Sequence, residues 1–370
     1  MNRIPLIKPF ITDEVKARVC AVLDSGYLTE GPVTRELEET FINYTACKYA
    51  FAVTSCTTGL EIALRALKVG PGDDVIVPDY TYPATADVVH IVGARTVIVD
   101  VSRDTMLIDY DQIEAVISDR TKAIIPVSLF GNPLDYGRLN DLKSRHSFHI
   151  VEDAACSIGA DYQGTKVGNL ADISAFSLHP RKFITTGEGG IVTTNNPEWA
   201  QWMNSYKHFG MGMHGTREGT FFDEIGTNYK LSDVLAAIGV VQMGHIHSLL
   251  EERSRLATNY YDLLANKPGI LLPKTTGSGT HSWQSCTIFV EEPTRVITKM
   301  KEKGIETQIG TYALHMHGAF AESPNCVISG DLPGSTYAFE HCLTLPLYNG
   351  MSDKEQRFVV EELLKVVDKR

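Results

Sequence analysis

Short β-branched runs recur along the first half of the chain: Asp74-Val75-Ile76-Val77, Thr96-Val97-Ile98-Val99, Ala123-Ile124-Ile125-Pro126-Val127, His149-Ile150-Val151 and Ile173-Ser174-Ala175-Phe176. They hardly alternate with polar residues, the pattern of strands buried on both faces of a parallel sheet. Between them, apolar positions return every three or four residues, as at Leu60, Ala63, Leu64 and Leu67, with similar stripes over 113–117 and 139–142. Such stripes predict amphipathic helices packed on that sheet. The pattern therefore predicts an α/β large domain of three αβα layers around a mostly parallel mixed sheet. Near residue 242 it changes. A long helix through Leu249, Leu250 and Leu256 leads into a segment rich in turn residues, then mixed strands and a final helix over 354–367. The expected division is a large domain over 12–245 and a smaller α+β C-terminal domain over 246–370, with residues 1–11 packing on the smaller one. Stretches 277–280 and 329–335 read as loops from their Gly, Pro and Ser content.

With 370 residues, 43% of them hydrophobic, the chain can bury a large core. No stretch reaches the ~18 uncharged apolar residues of a membrane span, and the first residues lack the apolar core of a secretory signal, so the expected location is the cytoplasm. Seven scattered cysteines, odd in number and without close pairs, argue against a disulfide framework or a metal site. The formal charge of -11 opposes loose binding to nucleic acid or anionic membranes. An anionic ligand must then be held by local donors, which points to a small molecule in a pocket.

Asp153 closes one apolar run, and Lys182 follows 29 residues later within Phe176-Ser177-Leu178-His179-Pro180-Arg181-Lys182. A strand-end carboxylate and a lysine among small and hydroxyl residues suit pyridoxal phosphate: the acid keeps the pyridine nitrogen protonated, and the lysine captures the aldehyde. Alone, each has a plainer reading, a turn-forming Asp and a solvated Lys. A phosphate needs donors at a helix start, and Thr54-Ser55-Cys56-Thr57-Thr58-Gly59-Leu60 supplies one, with Cys56, Thr57 and Thr58 in the first turn. A simple Ser/Thr helix cap is the commoner meaning of such a segment. Ser177 is a further donor candidate, and Tyr80-Thr81-Tyr82 places a ring at a strand end, for stacking or for core packing. His179 and Arg181 are candidates to touch cofactor or substrate, against structural and surface roles. Gly187-Glu188-Gly189-Gly190 lacks the Lys-Ser/Thr of a nucleotide hydrolase loop and reads as a tight turn behind the lysine. Desolvation near a cationic centre, with Arg181 nearby, is expected to lower the Lys182 pKa from about 10.4.

Ordered matches run nearly end to end: residues 26–32, 54–60, 80–86, Phe130-Gly131-Asn132-Pro133, Glu152-Asp153-Ala154-Ala155, 177–182, 187–190, Gly226-Thr227-Asn228-Tyr229-Lys230 and 342–348. On these the chain resembles the DegT-type family of nucleotide-sugar aminotransferases, pyridoxal phosphate enzymes of the aspartate aminotransferase fold. The resemblance implies Lys182 as the attachment residue, Asp153 as the ring-nitrogen partner, Tyr82 as the stacking ring, and Thr57, Thr58 and Ser177 at the phosphate. It implies that Asn228 reaches the phosphate of a neighbouring subunit, hence a homodimer with shared active sites. One position departs: many relatives carry Gln or His three residues after the Asp, beside the cofactor's 3-hydroxyl, and this chain has Cys156. The region matching a His-Tyr-Pro pattern reads Thr311-Tyr312-Ala313-Leu314-His315-Met316-His317, with Tyr312 and His315 as substrate candidates. The implied reaction is transamination of a nucleotide-linked keto sugar, foremost a 4-keto-6-deoxy hexose, with glutamate as donor, in surface polysaccharide or similar sugar biosynthesis. Alternatives are a 3-keto sugar aminotransferase or a sugar dehydratase. Dehydratase relatives replace the lysine with His, and one branch carries an iron–sulfur cluster; Lys182 and the dispersed cysteines oppose both.

Overall fold

The computed structural model describes residues 3–212 and 221–368. Its main sheet has eight strands in the order Tyr49–Val53, Gly190–Thr194, Ile173–Ser177, His149–Asp153, Thr121–Ile124, Asp74–Pro78, Arg95–Val99 and Cys326–Ile328. From Ile173–Ser177 to Cys326–Ile328 every pairing is parallel. Gly190–Thr194 runs antiparallel to both neighbours. The connection explains it: parallel neighbours need a crossover, usually a helix, to carry the chain back. No helix separates Ser177 from Gly190, so the chain turns and returns alongside itself. That turn carries Lys182 and lies at the carboxyl end of Ile173–Ser177.

The expected burial on both faces appears residue by residue. Ile76, Val97, Val99, Ile124, Ile150 and Phe176 enter one core cluster. Their immediate neighbours Val75, Val77, Ile98, Ala123, Val151 and Ala175 enter the other. Helix Cys56–Ala66 packs on the second side, which leaves its first turn level with the strand ends. A third cluster joins Leu256, Ile288, Leu343, Val359 and Leu363 around a four-stranded antiparallel sheet, Ile270–Leu271, Cys286–Val290, Cys342–Leu345 and Gln308–Ile309. Ile4 belongs to this cluster and bridges Ile305.

Later residues do not all stay with the smaller sheet. Tyr312–Ala313 pairs with Tyr80–Thr81, and Cys326–Ile328 completes the edge of the main sheet beside Arg95–Val99. Stretch 329–335 runs into a helix, Pro333–His341, because the Asp100 carboxylate accepts from the Gly334 and Ser335 N–H groups at 2.7 Å each. Gly279–Thr280, within the other expected loop, pairs with Asp161–Tyr162 as a two-residue strand. The helices Asp233–Gly244 and Ile246–Leu264 meet at 65°. Among the described residues no single helix is long and apolar enough to cross a membrane.

Candidate active site

Strand His149–Asp153 ends on two adjacent carboxylates, and alternation sends them to opposite faces. Glu152 is satisfied inside the fold by Tyr136 Oη at 2.6 Å, Ser174 Oγ at 3.1 Å and the Ser128 hydroxyl. Asp153 faces the space above the strand ends. Its Oδ2 accepts from Thr85 Oγ1 at 2.8 Å and its Oδ1 from the Ala155 N–H at 3.1 Å. Burial raises its pKa; the two hydrogen bonds and the Lys182 charge oppose the rise without cancelling it. Cys56 Sγ lies 4.0 Å from Asp153 Oδ1 and donates to the Ala175 carbonyl. Burial, reinforced by Asp153, pushes that thiol well up.

Lys182 occupies the turn after Ile173–Ser177, and its Nζ donates to Cys156 Sγ at 3.1 Å. The pKa expectation for this lysine is reversed. Burial does work against the charged amine, but Cys156, then Cys56 and Asp153, outweigh it and hold the pKa above the ordinary lysine value. The sequence showed the burial and hid the acids gathered round the amine.

The first turn of helix Cys56–Ala66 closes the site opposite the lysine. Ser55 caps it by accepting from the Thr58 N–H at 3.1 Å, and Thr58 Oγ1 accepts from the Ser55 N–H at 3.1 Å. The Thr58 hydroxyl is thus engaged in the capping box. Cys56 and Thr57 N–H groups lie in the turn where a helix has no carbonyl behind its donors. Gly190 lets this turn approach: a Cβ there would lie 2.6 Å from the Ser55 carbonyl carbon and 2.7 Å from the Cys56 nitrogen. Ser177 Oγ accepts from the His179 N–H at 3.3 Å. His179 Nδ1 accepts from the Arg181 N–H at 3.1 Å, with Nε2 3.8 Å from Glu188; the Arg181 side chain is exposed.

At the mouth, Tyr82 is 64% exposed, its ring centroid 6.2 Å from that of Tyr312. His315 is turned into the fold, Nδ1 2.6 Å from Asp79 Oδ2, its N–H donating to Oδ1 at 2.7 Å. Asn228 is exposed and accepts from Lys230 Nζ at 2.6 Å. The Tyr229 carbonyl accepts from the Thr54 N–H at 3.0 Å, so this segment lies against the strand leading to Ser55.

A model of the DegT/DnrJ/EryC1/StrS aminotransferase family matches residues 9–364. The chain belongs to this family. Like other members of the DegT/DnrJ/EryC1/StrS aminotransferase family, it is a pyridoxal phosphate-dependent enzyme that transaminates a sugar. It is 32% identical to the uncharacterized protein MJ1066 of Methanocaldococcus jannaschii over 98% of this chain and 97% of that one. Among solved structures, the putative sugar aminotransferase Spr1654 from Streptococcus pneumoniae in its PMP form superposes with a TM-score of 0.93, at 32% identity over 99% of this chain and 98% of that one. S. venezuelae DesV in complex with a ketimine intermediate gives 0.92 at 31% identity, covering all of both chains. The fold is that of the aspartate aminotransferase-like enzymes, as expected.

The residues present in this aminotransferase fit the family's cofactor. An amine bonded to a thiol, a buried carboxylate with a raised pKa and unshared helix-start amides converge at the carboxyl ends of the strands, and an exposed aromatic ring stands at the mouth. Lys182, Asp153, Cys56 and Cys156 are brought together; Thr57, Thr58 and Ser177 flank them. Asn228 and His315 are not gathered into that cluster. Thr85, the side-chain donor to Asp153, was missed although it stands within the matching stretch 80–86; its place on helix Ala84–Ile91, four residues after Thr81, was the available signal.

Proposed function

We propose that this enzyme transfers an amino group from glutamate to a nucleotide-linked keto sugar, with a 4-keto-6-deoxy hexose as the leading acceptor. The observation that carries the catalytic reading is the convergence of Lys182, Asp153 and the start of helix Cys56–Ala66 on one space at the strand ends. When bound, pyridoxal phosphate supplies an aldehyde that exchanges for an amine and a ring that accepts electrons. Lys182 Nζ is the covalent anchor and, once released, takes a proton from the substrate carbon and returns it across the site. Asp153, held by Thr85 and Ala155, keeps a proton at the ring nitrogen. The N–H groups of Cys56 and Thr57 with the hydroxyls of Thr57 and Ser177 bind phosphate, Thr58 serves by capping the helix start that presents those amides, and Tyr82 covers the ring. Cys156, bonded to Nζ, holds the lysine pKa up. Tyr312, His179, Arg181 and, through its Asp79 contact, His315 shape the substrate side.

Asn228 completes the phosphate site of a second copy, making a homodimer with shared sites. Support comes from the exposed apolar side chains around it, Phe209, Phe221, Phe222 and Ile225. The same reading divides the chain into a cofactor domain over 12–245 and a smaller one over 246–370, the latter lending Tyr312–Ala313 and Cys326–Ile328 to sheets of the former. Glutamate and nucleotide sugars are cytoplasmic solutes, which places the enzyme in the cytoplasm, in polysaccharide or related sugar biosynthesis. The test is a spectrum followed by a substrate panel. Protein loaded with pyridoxal phosphate should show a visible band that glutamate bleaches, and mass spectrometry should find amination of one nucleotide keto sugar. Lys182→Ala should lower turnover by about 10²–10⁴-fold or more; full turnover in that variant overturns the assignment, and bleaching only by another amino acid overturns the donor.

A further inference from the structure

Within its turn the backbone of Lys182 makes one local bond, its N–H to the His179 carbonyl at 2.8 Å. The turn is fastened from outside by Gln284. Gln284 Oε1 accepts from the Phe183 N–H at 3.2 Å, and Nε2 donates to the Arg181 carbonyl at 2.8 Å. One side-chain amide therefore grips the residue before and the residue after Lys182. The grip needs a donor and an acceptor in one planar group, which the Gln amide has, and Gln284 is only 6% exposed.

Gln284 is itself held on two sides. Arg253, on the helix Ile246–Leu264 and 1% exposed, donates from Nε to the Trp283 carbonyl and from Nη2 to the Gln284 carbonyl, both at 2.8 Å, and reaches the Leu347 carbonyl at 3.4 Å. The same guanidinium sits 5.1 Å over the ring of Phe183, next to the lysine. On the other side the segment rests on Gly131. A Cβ at Gly131 would meet Ser282 Oγ at 2.6 Å and the Gln284 nitrogen at 2.9 Å, and its φ of +99° suits glycine alone. Ser282 N–H donates to the Gly131 carbonyl at 2.9 Å and Ser285 N–H to the Phe130 carbonyl at 3.2 Å. The glycine of Phe130-Gly131-Asn132-Pro133 thus admits the segment that leads into strand Cys286–Val290 and carries Gln284.

Resting on the reading of Lys182 as cofactor anchor, we infer that Gln284 is a positioning residue for the reaction, clamping the peptide on both sides of Lys182 and itself locked by Arg253. Anchor and proton carrier are the same side chain, so its backbone must stay in place while Nζ moves. With the clamp set, only the side-chain torsions of Lys182 are free, and misplacement by about 1 Å can cost 10²-fold in rate.

Three variants of the full chain test this. Gln284→Leu keeps the volume and removes both bonds. In cofactor-free protein, hydrogen exchange at the Phe183 amide should rise at least tenfold while the melting midpoint stays close to the parent's. Attachment of pyridoxal phosphate, followed by its absorption band, should slow by about 10–100-fold. Gln284→Glu provides the chemical rescue: the neutral carboxylic acid again has one donor and one acceptor, so attachment relative to the parent should recover as pH falls from 8 to 5. Should Gln284→Leu fail to fold, this pH dependence alone decides. Unchanged Phe183 protection and attachment rate in Gln284→Leu, or a pH-independent ratio for Gln284→Glu, overturns the clamp. Borohydride trapping in the parent, with Lys182→Ala as control, separates the two readings: label absent from Lys182 sinks the anchor assignment, whereas label on Lys182 with indifferent Gln284 variants sinks the clamp alone.

Discussion

Cys156 meets Lys182 Nζ at 3.1 Å and is the largest of the influences that raise the lysine pKa. Attachment of an aldehyde requires the neutral amine, so a raised pKa pushes attachment toward alkaline pH. Cys156→Ala removes the largest raising partner and leaves burial, which acts downward, opposed only by Cys56 and Asp153. Its attachment rate against pH should shift toward lower pH, with about a tenfold gain near pH 7 for each unit by which the pKa falls; an unshifted profile contradicts the pairing. Asp153 carries an opposite trade. Its folded pKa is raised above the ordinary value, so its contribution to stability is full below about pH 3.9 and is lost as pH rises through the raised pKa. Asp153→Asn should therefore melt higher than the parent at pH 7 when cofactor-free, the difference shrinking toward pH 4, while transamination falls by about 10²-fold or more. Calorimetry at the two pH values checks the sign. At this scale the sequence was partly legible. Lys182 and Asp153 stood out because each follows an apolar run, whereas Gln284 acts through a contact across 101 residues and leaves no local pattern, and Thr85, 68 residues from Asp153, is marked only by its place four residues after Thr81.

The start of helix Cys56–Ala66 depends on a residue in another element. Gly190 has no positive φ to explain it; its hydrogen is needed because Ser55 and Cys56 press against it. Gly190→Ala should displace that first turn, cost about 1–3 kcal/mol by overpacking, and weaken cofactor binding more than it weakens the fold. Chemical denaturation and cofactor titration on one preparation separate the two effects. Apolar runs identified the central strands because burial on both faces leaves an unbroken signature. The helix Pro333–His341 had no comparable signature: its donors are met by Asp100, more than two hundred residues earlier, so its start read as loop. The two-residue strand Gly279–Thr280 is likewise too short for a period to register.

For the whole molecule, the proposed second copy makes its own prediction. Phe221 and Phe222 are each 62% exposed and Ile225 is 96% exposed, an unusual display of large apolar side chains unless something covers them. Phe222→Glu with Ile225→Glu should convert dimer to monomer in light scattering and abolish activity while circular dichroism is retained; a fully active monomer removes the shared-site reading.

The strand Cys326–Ile328 has a consequence for biosynthesis. The partner it covers, Arg95–Val99, leaves the ribosome more than two hundred residues earlier, and until the later strand emerges that partner presents a bare row of main-chain donors and acceptors able to recruit another nascent chain. Stalled products ending before residue 326 should sediment with chaperones or as aggregates, and the released full-length chain should stay in the supernatant.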